Sequence, residues 1–143
     1  MRFCVIGAGA MGGVYGLSLI EAGYKVNFLD VNRDHVNAVK KNGFRLSGIG
    51  KKKVYKINIS DNENDFKNSA DVVLFHAHTT GTKSAALSAA SVLKPDGYAI
   101  TLQNGIGNIE ALSEVLGAKR VVGGISYHSA ALEDLGHVNH TNG

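Results

Sequence analysis

Residues 2–30 read RFCVIGAGAMGGVYGLSLIEAGYKVNFLD, and this stretch decides the fold. Arg2 to Ile6 is a short apolar run rich in β-formers that stops at Gly7, as a buried parallel strand does. From Met11 to Ala22 the apolar residues Met11, Val14, Tyr15, Leu17, Leu19 and Ile20 fit a helix largely covered by its neighbours, and Gly23 ends it. Tyr24 to Leu29 is then a second strand, which closes a β-α-β unit. Between first strand and helix, Gly7, Gly9 and Gly12 match the spacing GxGxxG. In this context Gly7 permits a tight turn, Gly9 lets backbone approach a pyrophosphate, and Gly12 lets helix and strand pack closely. The loop residues Gly7, Ala8, Gly9, Ala10, Met11 and Gly12 thus become the candidate phosphate cradle, facing the positive end of the helix dipole. A turn that needs glycine and binds nothing is the plain alternative.

The same alternation continues outward. Asp34 reads as the N-cap of a second helix carrying Val36 and Val39 and ending at Gly43. Phe44 to Ile49 and Val54 to Ile59 read as two strands joined around a lysine tip, and Ser60 to Ser69 as a loop or short helix. Asp71 to Phe75 is another buried strand, followed by an Ala/Ser-rich helix from Thr82 to Leu93. Pro95, Asp96 and Gly97 turn the chain into a strand from Tyr98 to Leu102. A helix with Ile109, Leu112, Val115 and Leu116 ends at Gly117, Arg120 to Ile125 is the next strand, and Val138 to Thr141 is the last. The expected architecture is α/β, Rossmann-type and doubly wound, with a mainly parallel sheet and helices on both faces.

Composition agrees. At 143 residues the chain is read as one nucleotide-binding domain, 1–143. Its 18 glycines come with one proline and no G-X-Y period, which excludes collagen and a Pro/Gly-rich disordered chain. A single cysteine excludes a disulfide scaffold, and no signal peptide is read at the N-terminus, so the expected setting is cytoplasmic. Mean hydropathy of −0.02 speaks against a membrane bundle. The net charge is +3, but only Lys51, Lys52 and Lys53 form a basic run, with Tyr55 the one aromatic close by, which is thin ground for nucleic-acid binding.

Asp30 ends the second strand near the offset at which an acid accepts hydrogen bonds from ribose hydroxyls, which points to NAD. Arg33, three positions on, is able to hold a 2′-phosphate and so points to NADP. Both stay open on the sequence.

The segments VIGAGAMGG (5–13), TLQNGIGN (101–108) and GGISYHSAALEDLGHVNHT (123–141) resemble the ketopantoate reductase (2-dehydropantoate 2-reductase) family over essentially the whole chain. The resemblance implies NADPH-dependent reduction of a 2-keto acid to a 2-hydroxy acid, and NADP as cofactor. It makes Asn104 the asparagine at a strand end beside nicotinamide and substrate, with Gln103 as a further cofactor contact; Asn104-Gly105 also reads simply as a turn pair. Where the family carries a lysine past the strand at 71–75, FHAHTT has His76 and His78. His76 is the candidate for that role, or it packs and caps the loop. The two histidines lack a nearby Cys, Asp or Glu, so no metal site is read. The acid Asp30 instead resembles a branch of NADH-dependent D-2-hydroxyacid dehydrogenases. The family's chains are longer, with a helical second domain that supplies a lysine general acid and a substrate-binding carboxylate. The expectation is therefore a cofactor-binding fragment with poor turnover of its own. A stand-alone module sensing NAD(P) is the competing class, and the oligomeric state, a homodimer included, stays open.

Overall fold

The structure is a computed structural model that describes residues 1–50, 52–78 and 81–143; Lys51 of the lysine tip and Thr79 and Thr80 of FHAHTT lie outside the described residues. Strand β1 (Arg2–Ile6) leads through the glycine loop into α1 (Ala10–Glu21) and back to β2 (Lys25–Leu29). Then come α2 (Arg33–Asn42), β3 (Phe44–Gly48), β4 (Lys53–Tyr55), β5 (Asn58–Ser60), a 3-10 turn (Glu63–Phe66), and β6 (Ala70–Phe75). The chain continues with α3 (Thr82–Val92), β7 (Leu93–Thr101), α4 (Asn108–Leu116), β8 (Val121–Gly123), β9 (Ser129–Asp134) and β10 (His137–Asn142).

Six strands form one parallel sheet in the order β5-β2-β1-β6-β7-β8. Val5, Phe28, Val72 and Leu74 belong to the core on the face that α1 and α2 cover, while Cys4, Val73, Phe75 and Ala99 belong to the core with α3 and α4. Alternate residues of each central strand therefore bury on opposite faces, and this explains the continuous apolar runs. The doubly wound expectation holds.

A second, four-stranded sheet, β4-β3-β10-β9, covers the other side of α1. The expected last strand, Val138 to Thr141, lies here rather than in the parallel sheet. Its sequence HVNHTN alternates and buries only Val138 fully, as a strand with one covered face does. The hairpin partner β9 escaped the sequence reading because SAALED carries no β-branched or aromatic residue and is largely exposed. The run Val54 to Ile59 splits: β4 pairs antiparallel with β3, while β5 crosses to the edge of the main sheet beside β2. The cap of α2 is Asn32, whose side chain accepts from the His35 amide at 3.1 Å, and Asp34 sits in the first turn. Pro95, Asp96 and Gly97 form an irregularity within β7, where the pairing jumps from Ala70–Leu93 to Val72–Tyr98.

Helix α1 is squeezed from both sides, and its glycines make that approach fit. A Cβ at Gly16 would overlap the Phe28 ring and stand 2.9 Å from Val5 Cγ2. A Cβ at Gly13 would stand 2.9 Å from Val138 Cγ2 and 3.0 Å from the Phe44 ring on the second sheet. Overpacking a close-packed core costs about 1–3 kcal/mol. Gly16→Ala is thus expected to lower the free energy of unfolding by that amount, measured as a fall in the urea midpoint at unchanged slope.

Candidate functional site

The carboxyl ends of the parallel strands converge on the glycine loop, the place where open α/β sheets bind ligands. Gly7 has φ of +91°, and a Cβ there would lie 2.7 Å from the backbone of His76. A Cβ at Gly12 would overlap the Gly7 carbonyl. Fold geometry thus explains both glycines. Gly9 is different: a Cβ there would meet nothing within 4 Å among the described residues. The loop keeps open ground in front of this residue although packing makes no demand for it. Helix α1 begins at this point with no side-chain cap and no acid in its first turn. Its ladder starts with Gly13 N–H donating to Gly9 O at 2.8 Å, so the amides of Ala10, Met11 and Gly12 have no intrahelical acceptor. Uncapped amides, a positive dipole end and a bare Cα are what a pyrophosphate requires, so the residues fit a dinucleotide.

The loop is held from outside by two side chains. Asp30 Oδ2 accepts from Ala8 N–H at 2.7 Å, and its Oδ1 accepts from Asn32 N–H at 2.9 Å. Each oxygen keeps a lone pair for a sugar hydroxyl. His35, 2% exposed, makes the second tie: its Nδ1 accepts from Gly136 N–H at 3.1 Å, which leaves Nε2–H to donate to Ala8 O at 2.8 Å. Sequence reasoning missed His35; a histidine inside an amphipathic helix gives no local signal of a partner 101 residues away. Arg33 does not face a free site, for its Nε donates to Asp61 Oδ2 at 2.9 Å.

At the end of β7, the glycines at 105 and 107 both take positive φ and fold TLQNGIGN into a tight loop. Buried Asn108 donates to Asn104 O at 3.0 Å and accepts from Thr82 Oγ1 at 3.2 Å. This fixes the Asn104 backbone and leaves its exposed side-chain amide without a protein partner among the described residues. Gln103 spends its amide inside the protein: Nε2 donates to Ala77 O and to Thr82 Oγ1, and Oε1 accepts from Thr101 Oγ1 at 3.0 Å. Asn104, Gln103, Asn108, Ile109, Gly123 and Ile125 line a cavity of about 390 Å³.

His76 is not among the residues lining that cavity. Its ring stacks on Tyr15, with centroids 5.4 Å apart and planes 9° from parallel, and Tyr15 OH donates to Ser126 Oγ at 2.8 Å. Its Nε2 is buried with no hydrogen-bond partner among the described residues. Burial pushes the imidazole down to about 4, so at neutral pH it is uncharged and does not replace a lysine as a cation. His78 is the exposed member of the pair.

The ketopantoate reductase PanE/ApbA family model matches residues 3–143. Among curated proteins, the chain is 34% identical over 137 residues to a 2-dehydropantoate 2-reductase of Archaeoglobus fulgidus and 31% identical over 138 residues to one of Pyrococcus horikoshii. These alignments take in 96% of this chain and 43% and 44% of the relatives, so the chain spans less than half their length. Among solved structures, a PanE/ApbA family ketopantoate reductase from Ralstonia eutropha JMP134 superimposes with a TM-score of 0.90 at 32% identity, over 98% of this chain and 46% of that one. A D-mandelate dehydrogenase in ternary complex with NADH and anilino(oxo)acetate superimposes with a TM-score of 0.91 at 25% identity, over 99% of this chain and 46% of that one.

The depressed His76 ring makes stability depend on acidity. Between about 4 and its ordinary value of 6.5 the unfolded chain takes up a proton that the folded chain refuses, so stability falls as pH drops through that window. The loss attributable to this ring reaches up to about 3 kcal/mol. Urea unfolding at pH 7 and pH 4.5 checks it: His76→Gln is expected to lose less stability over the interval than the parent chain.

Proposed function

The chain belongs to the ketopantoate reductase PanE/ApbA family, and from that premise we propose that residues 1–143 form the dinucleotide-binding domain of an oxidoreductase that reduces a 2-keto acid to a 2-hydroxy acid. The observation that carries this reading is Gly9, the loop glycine whose missing side chain no protein atom requires. A nicotinamide dinucleotide, when bound, supplies the hydride. The chain's own residues supply position and charge. Amides at the start of α1 receive the pyrophosphate, and Asp30, already fixing the loop through Ala8 N–H, accepts from the adenosine ribose.

On this reading the 390 Å³ cavity at the end of β7 receives the keto acid and the reacting end of the cofactor. Asn104 presents an amide that does not titrate, so it orients a carbonyl or carboxylate and moves no proton. Gln103 acts from behind, tying β7 to the segment after β6. His76 contributes a neutral ring whose buried Nε2 has no partner among the described residues. Reduction of the carbonyl also needs a positioned acid. We assign that acid to the part of the family's chains that residues 1–143 do not span, and to residues 1–143 the binding and orienting of the cofactor. 2-Dehydropantoate is the substrate that the named relatives favour, and the NADH-bound D-mandelate dehydrogenase keeps a broader range of 2-keto acids in view.

Gly9→Ala tests the reading at its centre. The variant is expected to lose about 1 kcal/mol of stability or less, as a poorer N-cap, while NADH binding followed by cofactor fluorescence weakens at least about tenfold through the Cβ facing the pyrophosphate. Unchanged affinity would remove the assignment of the loop.

A further inference from the structure

The end of β2 and the end of β5 lie side by side, and they put a charged trio where the adenosine ribose would rest. The parallel register pairs Leu29 with Ser60, so the next residues, Asp30 and Asp61, follow as neighbours at the two strand ends. The Asp30 amide donates to Ser60 O at 3.1 Å and secures that alignment. Arg33, at the first position of α2, reaches across to Asp61, with Nε on Oδ2 at 2.9 Å.

We infer that Asp61 is a cofactor-selecting residue: by engaging Arg33 it cancels the one guanidinium that would welcome a 2′-phosphate, and so turns the site toward NADH. This rests on the reading of the glycine loop as a dinucleotide site. The charge arithmetic is direct. Two carboxylates and one guanidinium leave the trio with a net charge of −1, and Asp30 Oδ2 and Oδ1 are already fixed by amides that cannot neutralise them. A ribose hydroxyl is a neutral donor and suits a carboxylate acceptor. A 2′-phosphate brings roughly −1.5 to −2 charges at neutral pH and finds acids on both sides. Recognition of that phosphate by arginine needs the guanidinium fork, and in this structure the Nε edge of the fork points at Asp61. Arg33 is 82% exposed on its side chain, so the pair is loosely held and acts through placement of charge more than through stability.

Asp61 therefore works through Arg33 as a positioning residue, and its signature is a ratio of affinities. Dissociation constants for NADH and NADPH, measured by cofactor fluorescence on this chain and on Asp61→Asn, Asp61→Ser and Asp61→Glu, provide the test. The parent is expected to favour NADH. In both Asp61→Asn and Asp61→Ser the NADH-over-NADPH preference should fall about fivefold or more, with the gain shrinking as salt rises from about 0.05 to 0.5 M. Asp61→Glu should restore the parental preference, and adding Arg33→Ala to Asp61→Asn should abolish the gain. A parent that favours NADPH, or a preference unmoved in both neutral variants, overturns the role of Asp61. Failure of the folded parent to bind either dinucleotide overturns the site itself, and with it this inference.

Discussion

Everything in this molecule depends on how closely α1 is allowed to approach its neighbours. The helix runs between two sheets, and wherever it comes nearest to them the side chain is a hydrogen atom: Gly12 against the Gly7 carbonyl, Gly16 against Phe28, Gly13 against Val138 and Phe44. Glycine inside a helix costs roughly 0.5–1 kcal/mol relative to alanine. That loss at each of three positions is accepted because close approach buries Val5, Phe28, Phe44 and Val138 around one helix. The same approach aims the start of α1 at the ends of the strands. Site geometry is therefore an outcome of core packing, and the glycine loop inherits the rigidity of the most buried part of the chain.

Electrostatic organisation around the cradle follows from which groups are already spent. Gln103 reads as a ligand-binding side chain in one dimension, yet its amide is committed to partners that fix a loop, and His35, which gives no such signal, is committed in the same way. The groups left over are the first amides of α1, the Asn104 side chain and one lone pair on each Asp30 oxygen. Rigid donors without protein partners, held by committed ones, are the arrangement that lets a site bind without reorganising. His76 is the exception, a buried ring with a spare nitrogen, and the desolvation that keeps it neutral is a stability cost carried in mildly acidic solution.

Much of this was legible in the sequence because it is local. The turn at Gly7, the helix from Met11 and the strand to Leu29 are specified within residues 2–30, where run length, β-former content and flanking glycines separate buried parallel strands from helices. What escaped depends on partners far along the chain. Asp61 carries no motif and gains meaning only from the Leu29–Ser60 register. The strand Ser129–Asp134 has the composition of a loop and becomes a strand by pairing with His137–Asn142. Placing Val138 in the wrong sheet has the same cause, since a single buried valine does not say which core it enters. Gln103 is expected on the family resemblance as a cofactor contact, whereas its hold on Ala77 and Thr82 is a matter of tertiary contact.

The imidazole of His35 joins the amide of Gly136 to the carbonyl of Ala8, linking one of the last turns of the chain to one of its first. Such a clasp imposes an order in time. Loop closure over so long a separation is slow to reward the chain, so β1, α1 and β2 can pair long before the cradle between them acquires its final shape. During synthesis the N-terminal β-α-β unit emerges early, but its glycine loop is finished only once the β9–β10 hairpin has docked. The final shape of that loop thus reports that the whole of this region has folded, and a chain arrested before Gly136 would carry the motif without the clasp.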